Sequence, residues 1–243
     1  MSTALTTQEQ AALAQIEQEE LMLSAEGVDF RPVQFKLNKD TCQFIDSLGG
    51  AHERLEGVIV YKHRVRGRWP SDEQRKTDND KRPLCSSIDG DTGRDRDGNV
   101  CNCLNCPHNQ WDTGKDGVGK ACKEERWVYL VERGGSHPAK VRVTPGSLKG
   151  FDVFFSGRLQ QRIPDIMVVT IMDSVPATGR GFTYAQIRFK SGARVTDIGE
   201  VMQYRKIREM IVKAVAQMEI TEDDYPIDDS ASAAEQAQAG DVF

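Results

Sequence analysis

Residues 126 to 162 read RWVYLVERGGSHPAKVRVTPGSLKGFDVFFSGRLQQR, and this stretch decides the class of fold. RWVYLVE (126 to 132) and AKVRVT (139 to 144) are short runs rich in β-branched and aromatic residues, with Gly134 and Gly135 in the turn between them. Pro145 has a fixed φ that suits the first turn of a helix. After it Leu148, Phe151, Phe155 and Leu159 recur at near-helical spacing. A strand with a short companion therefore leads directly into a helix.

Working outward, VDFRPVQFKL (28 to 37) alternates and stops at Asn38, Lys39 and Asp40, and LEGVIVYKHRVRGRW (55 to 69) gives a second strand. Downstream, IMVVTIMDSV (166 to 175) and FTYAQIRFK (182 to 190) are two strands joined through Pro176 to Gly181, and a last helix covers 195 to 217. With the cysteine-bearing residues 70 to 125 set aside, the order is three strands, a helix and two strands. That order predicts a mainly β fold, a five-stranded Greek-key barrel of OB type with the helix between its third and fourth strands.

The ends differ from the body. Residues 7 to 24 are strong helix formers with Leu13, Ile16 and Leu21 on a loose apolar stripe, so an acidic N-terminal helix is expected within 1 to 27. The two termini, 1 to 30 and 219 to 243, carry six and eight acids and no base. Residues 31 to 218 are left with 23 acids against 32 bases, a net +9. A basic body with acidic ends suits a polyanion partner. Residues 219 to 243 are low in complexity and are expected to be disordered.

The first basic residue is Arg31 and no long apolar run follows Met1, so no export signal is expected. The longest apolar runs are strand-sized, which predicts no membrane span and a cytoplasmic protein with reduced cysteines.

Five of the six cysteines fall in residues 70 to 125, where apolar periodicity vanishes. Cys85, Cys103, Cys106 and Cys122 follow C-x17-C-x2-C-x15-C, and a close pair with two distant single ligands can close a tetrahedron around Zn2+. Such a zinc gives a segment poor in apolar residues a reason to be ordered. Four thiolates leave no position for water, so the zinc is structural and no enzyme activity is expected. Cys101 is an alternative to Cys103, His108 can replace a sulfur, and an iron-sulfur cluster is the lesser metal reading. Cys42 reads as a buried apolar filler.

Two motifs in the same segment mislead. GKDGVGKA (114 to 121) nearly spells a phosphate-binding loop, but Ala121 stands where Ser or Thr must hold Mg2+. DGDTGRDRDGNV (89 to 100) mimics a calcium loop. With Gly98 as its glycine, Leu104 falls where a bidentate Glu is required.

YKHRVRGRW (61 to 69) alternates Lys62, Arg64, Arg66 and Arg68 on one face with Tyr61, His63 and Val65 on the other, and Trp69 follows. Single-stranded nucleic acid is held by cations on phosphates and aromatic faces under bases, which this strand offers together. Trp111, Lys120, Lys123, Arg126 and Tyr129 near the end of the insertion and Tyr184 and Arg188 in the last hairpin complete the candidate surface. For each aromatic a place in the core is the competing reading, at Trp127 and Phe182 with at least equal force.

The chain ends EITEDDYPIDDSASAAEQAQAGDVF. An acidic segment finishing in Asp241, Val242 and Phe243 resembles the C-terminal tails of bacterial and phage single-stranded DNA-binding proteins, although here the acids cluster at 222 to 229 and no Ile-Pro precedes Phe243. An OB-type barrel with a cysteine zinc insertion is also similar in architecture to the zinc-containing helix-destabilising proteins of T-even and related phages. The resemblance implies single-stranded DNA binding in replication or recombination and a tail that recruits partner proteins and competes with DNA for the basic groove. It also implies residence in the bacterial host cytoplasm for a phage-encoded chain. The alternative is a zinc-containing protein-interaction or regulatory module without affinity for single strands.

Overall fold

The computed structural model describes Thr6, Ala12, Leu13, Ile16, residues 32 to 179, residues 182 to 221 and Asp224. The chain divides into two units, residues 1 to 32 and residues 33 to 243. In the first, Ala12, Leu13 and Ile16 are helical, and the rest of the expected N-terminal helix lies outside the described residues. So do Asp241, Val242 and Phe243 of the expected tail motif.

Among its described residues the second unit forms β1 (Val33–Asn38), β2 (Gln43–Asp46), β3 (Ala51–His52), β4 (Arg54–Arg68), α1 (Asp72–Thr77), β5 (Cys85–Ser87), β6 (Thr92–Asp95) and β7 (Val100–Asn102). Then follow β8 (Lys123–Val131), β9 (Pro138–Val143), α2 (Pro145–Gln160), β10 (Val168–Gly179), β11 (Phe182–Arg194) and α3 (Ile198–Ala216). All eleven strands belong to one mixed sheet in the order β3, β2, β1, β9, β8, β4, β5, β6, β7, with β10 pairing both β4 and β11.

β4 organises this sheet. One edge pairs with β8 from Val58 to Gly67, and the other takes β10 at its start and β5 at its end. The turn from β8 to β9 uses Gly134 at φ +74°, a conformation that glycine adopts without penalty. Its amide donates to the Tyr204 hydroxyl on α3 (3.1 Å).

Side chains alternate across β4 and β8, so the two faces build two cores. Val58, Val60, Val65, Trp127, Tyr129 and Val131 pack with Tyr204, Ile207, Ile211 and Val215 of α3. Ile59, Val128, Leu130, Val141 and Val143 pack with Phe151 and Phe155 of α2 and with Met172 and Ile187. Residues 204, 207, 211 and 215 lie on one helical face, and α3 starts at Asp197, whose side chain accepts from the Glu200 amide (2.7 Å). Each such large apolar side chain contributes roughly 1.5–3 kcal/mol by leaving water.

The expected five-stranded barrel is overturned. The sheet has eleven strands and does not close. Closure needs a free edge on β9 to receive the last strand, but β1 occupies that edge in parallel register, Val33 to Ala139 through Phe35 to Val141. β11 pairs with β10 alone. The insertion also adds to the same sheet, because its polar residues form the short strands β5, β6 and β7 beyond β4.

Candidate functional site

From Tyr61 onward, β4 presents the two faces its alternation predicts. On one, Tyr61 stacks on His63 (5.3 Å between centroids) and His63 on Tyr129 (5.9 Å), with Trp127 edge-on to His63 (5.8 Å). Lys140 Nζ lies 3.9 Å from the Trp127 ring centre. These rings belong to the core beneath α3, and Tyr129 and Trp127 are buried. Burial holds the His63 pKa below the usual histidine range. The competing core reading therefore describes Trp127 and Tyr129, and Tyr184 is buried as well.

The cationic face is matched by acids. Lys62 pairs with Asp165 and sits over the Phe155 ring (4.5 Å). Arg64 meets Glu124 (3.4 Å) and Asp91 (3.8 Å). Buried Arg66 pairs with Glu124, and its guanidinium donates to the Gly90 carbonyl (2.8 Å) and Asn109 Oδ1 (2.5 Å). Arg126 also reaches Glu124 (2.6 Å). Burial alone would raise the Glu124 pKa, but the Arg126 hydrogen bond and the charges of Arg126, Arg66 and Arg64 outweigh it and lower the value. Arg188 pairs with Asp173 (3.2 Å) in the last hairpin, away from this cluster.

Arg68 differs from the rest of the stripe. It forms no ion pair among the described residues, and its Nε is buried without a hydrogen-bond partner. Beyond it, in the cysteine insertion, Lys120 Nζ lies 5.1 Å from the ring centre of Trp111, which is 42% exposed. Lys120 also donates to Asn109 Oδ1 (3.5 Å). Burial lowers the Lys120 pKa, with the Arg66 charge acting in the same direction. Trp69 and Lys123 line a shallow cleft with Glu125, Trp127, Arg142, Ile220 and Asp224.

Glu125, Arg142 and Asp224 of that cleft belong to two buried ion pairs that the sequence did not announce. Arg142 donates to both oxygens of Glu125 (2.6 and 2.9 Å), and Trp127 Nε1 shares that carboxylate (3.2 Å). Lys140 Nζ reaches Asp224 Oδ1 (2.7 Å), while the Thr221 amide caps the other oxygen (3.1 Å). The register of β8 against β9 brings Arg142 to Glu125, whereas Asp224, past the end of α3, meets Lys140 across 84 residues.

The insertion brings five cysteines into one neighbourhood, and none of the six is in a disulfide. Cys85 on β5 and Cys101 on β7 flank β6, with sulfurs 3.8 Å apart. Between them lies Gly93, paired directly with Cys101. A Cβ there would stand 2.6, 3.2 and 3.3 Å from the sulfurs of Cys101, Cys85 and Cys103. A glycine inside a strand is a signal of close approach, and its meaning is visible only once β5 and β7 are placed beside it. Burial, reinforced by the neighbouring thiols, pushes the Cys85 pKa up to about 12. Burial also pushes Cys122 up to about 12, against the opposing charge of Arg66. Among the described residues no three His, Cys, Asp or Glu side chains already stand as a group able to hold a metal ion.

Both misleading motifs close on themselves. The Thr113 and Gly114 amides both donate to the Gly119 carbonyl (3.1 Å each), so the phosphate-loop look-alike is a turn closed on itself. Asp89 accepts from the Asp91 and Thr92 amides and Asp95 from the Asp97 and Asn99 amides, so the acids of the calcium look-alike cap their own turns. No helix among the described residues is long and apolar enough to cross a membrane. Set against models of protein families, curated protein sequences and solved structures, the chain matches none of them.

Proposed function

We propose that the protein is a non-enzymatic single-stranded DNA-binding protein of phage or prophage type, acting in replication or recombination in the cytoplasm of its bacterial host. The observation that carries the reading is the junction between β4 and the insertion. Among the described residues Arg68 has no acid of its own, and Lys120, which like Arg68 lies within electrostatic reach of Cys122, sits over the half-exposed Trp111 ring. A phosphate supplies what Arg68 lacks, and a base stacks on Trp111. Arg64, Arg66, Lys62 and Arg126 are paired with Glu124, Asp165, Asp91 and Asp152 and contribute less free charge than Arg68.

A structural Zn2+ on Cys85, Cys103, Cys106 and Cys122 braces the insertion that carries Trp111 and Lys120. The thiol-rich donor set suits zinc, and the sulfurs of Cys85 and Cys103 converge over Gly93 together with that of Cys101, within 2.6 to 3.3 Å of where a Cβ would stand. Within the acidic C-terminal segment Asp224 is seated on Lys140. The segment competes with DNA for the basic residues, while its tip at Asp241, Val242 and Phe243 recruits replication and recombination proteins.

Fluorescence titration of the full chain with a labelled oligonucleotide at low salt tests this. Binding should weaken as salt rises, and Arg68→Ala should reduce the slope of log affinity against log salt by about 0.7, one phosphate contact on a single strand. Removing residues 225 to 243, which leaves Asp224 in place, should tighten binding. No binding at low salt by either the full or the shortened chain sinks the reading. Leu104 and Val100, 74% and 61% exposed on the insertion, favour a second reading, a protein-interaction or regulatory module. A stable complex with one protein and no affinity for single strands selects it.

A further inference from the structure

We infer that Cys101 and Cys103 share one ligand position, so that the zinc site proposed above holds five thiols for four places and its metal exchanges between two coordination sets. The inference rests on that zinc reading. Its basis is how β6 and β7 are built. Cys101 and Cys103 are two residues apart, the spacing that puts side chains on one face of an extended chain, and both sulfurs reach the space above Gly93. Cys85 reaches the same space from β5 on the other side of β6.

A tetrahedral zinc with Zn–S bonds of ~2.3 Å sets neighbouring sulfurs about 3.8 Å apart. Cys85 and Cys101 stand at that separation, 3.8 Å. Cys101 therefore stands at ligand spacing from Cys85, whereas Cys103 is tied to Cys106 in the C-x2-C turn, whose Cys106 amide donates to the Cys103 carbonyl (3.4 Å). One ion cannot take both and keep Cys85, Cys106 and Cys122. Exchange balances simply: the incoming thiol gives up its proton, the displaced thiolate takes one up, and the ion keeps four sulfurs and the same charge. Gly93 permits this, because a Cβ 2.6 Å from the Cys101 sulfur would close the space through which the exchange runs.

The test is Co2+ substitution of the metal-free full chain, since thiolate-to-cobalt charge-transfer absorbance counts the bound sulfurs. Four thiolates are expected in the wild type, in Cys101→Ser and in Cys103→Ser, and three in the double variant Cys101→Ser/Cys103→Ser. Chelator competition should strip metal severalfold more slowly from Cys101→Ser than from wild type, because the exchange route is gone. A drop to three thiolates in Cys103→Ser alone, or four in the double variant, overturns the shared position. Circular dichroism of each variant separates loss of a ligand from loss of the fold. A wild type that binds no Co2+ defeats the zinc reading itself.

Discussion

The sheet around β4 and the cysteine insertion are joined edge to edge, yet they are ordered by different means. β4, β8 and β9 place Val58, Ile59, Val128, Val131 and Val141 at zero exposure between α2 and α3. The insertion, residues 70 to 122, has no comparable apolar interior and spends its polar groups on itself. Arg96 donates to Asp78 (2.5 Å) and to the Asp80 carbonyl (2.7 Å), and Asp89 and Asp95 cap their own turns. Among its described residues the buried side chains are Pro70, Pro83, Ser87, Cys103, Asn109 and Cys122, so sulfur and hydrogen bonds largely replace hydrocarbon there. Burial of hydrocarbon holds the first region; the second is tied by its own hydrogen bonds and ion pairs and, under the zinc proposal, by a metal.

The largest expected effect lies in the sheet. Glu125→Ala leaves the Arg142 guanidinium buried without its acid and should cost about 3–5 kcal/mol of global stability, read as a lower urea midpoint. Glu124→Gln acts on the join. It weakens the charge pairing of Arg66, Arg64 and Arg126 and should cost about 1.5–3 kcal/mol, while freed Arg64 should raise single-strand affinity. The same carboxylate gives a pH signature. Its pKa in the fold lies below the ordinary 4.5, so its stabilisation is present above that value and disappears as pH falls through the lower one. Acid should therefore loosen the join before it melts the sheet, visible as earlier proteolysis in residues 70 to 122.

Trp111→Ala should leave the melting curve unchanged, since the ring is exposed, and remove roughly 1–3 kcal/mol of single-strand binding. Equal loss of stability and binding would mean that the tryptophan is packing rather than platform. Smallest is Ser71→Ala. It deletes the capping box in which Ser71 Oγ accepts from the Gln74 amide (3.3 Å) and Gln74 Oε1 accepts from the Ser71 amide (2.9 Å), for about 1 kcal/mol confined to α1.

Alternation and helical spacing locate β1, β4, β8, β9, β10, β11, α2 and α3 to within a few residues, because each element's pattern is local. The pairing of β1 with β9 is not local: about a hundred residues separate Val33 from Ala139, and nothing in either run says which edge it will fill. That single pairing decides between an open sheet and a barrel. β5, β6 and β7 escaped because three or four polar residues carry no period. At the site, the cysteines and the alternating cations were legible, while the neutralisation of those cations was not. Glu124 meets Arg66 only because the register sets β8 against β4. Nothing in the run around Gly93 signals its role, which comes from its neighbours on β5 and β7.

Hydrogen exchange of the full chain with and without a thiol-competing metal chelator tests the contrast most directly. The account predicts that amides of β5, β6, β7 and residues 103 to 122 lose protection on chelation while those of β4, β8 and β9 keep theirs. Unchanged protection in the insertion, or loss of protection in both regions together, would contradict it.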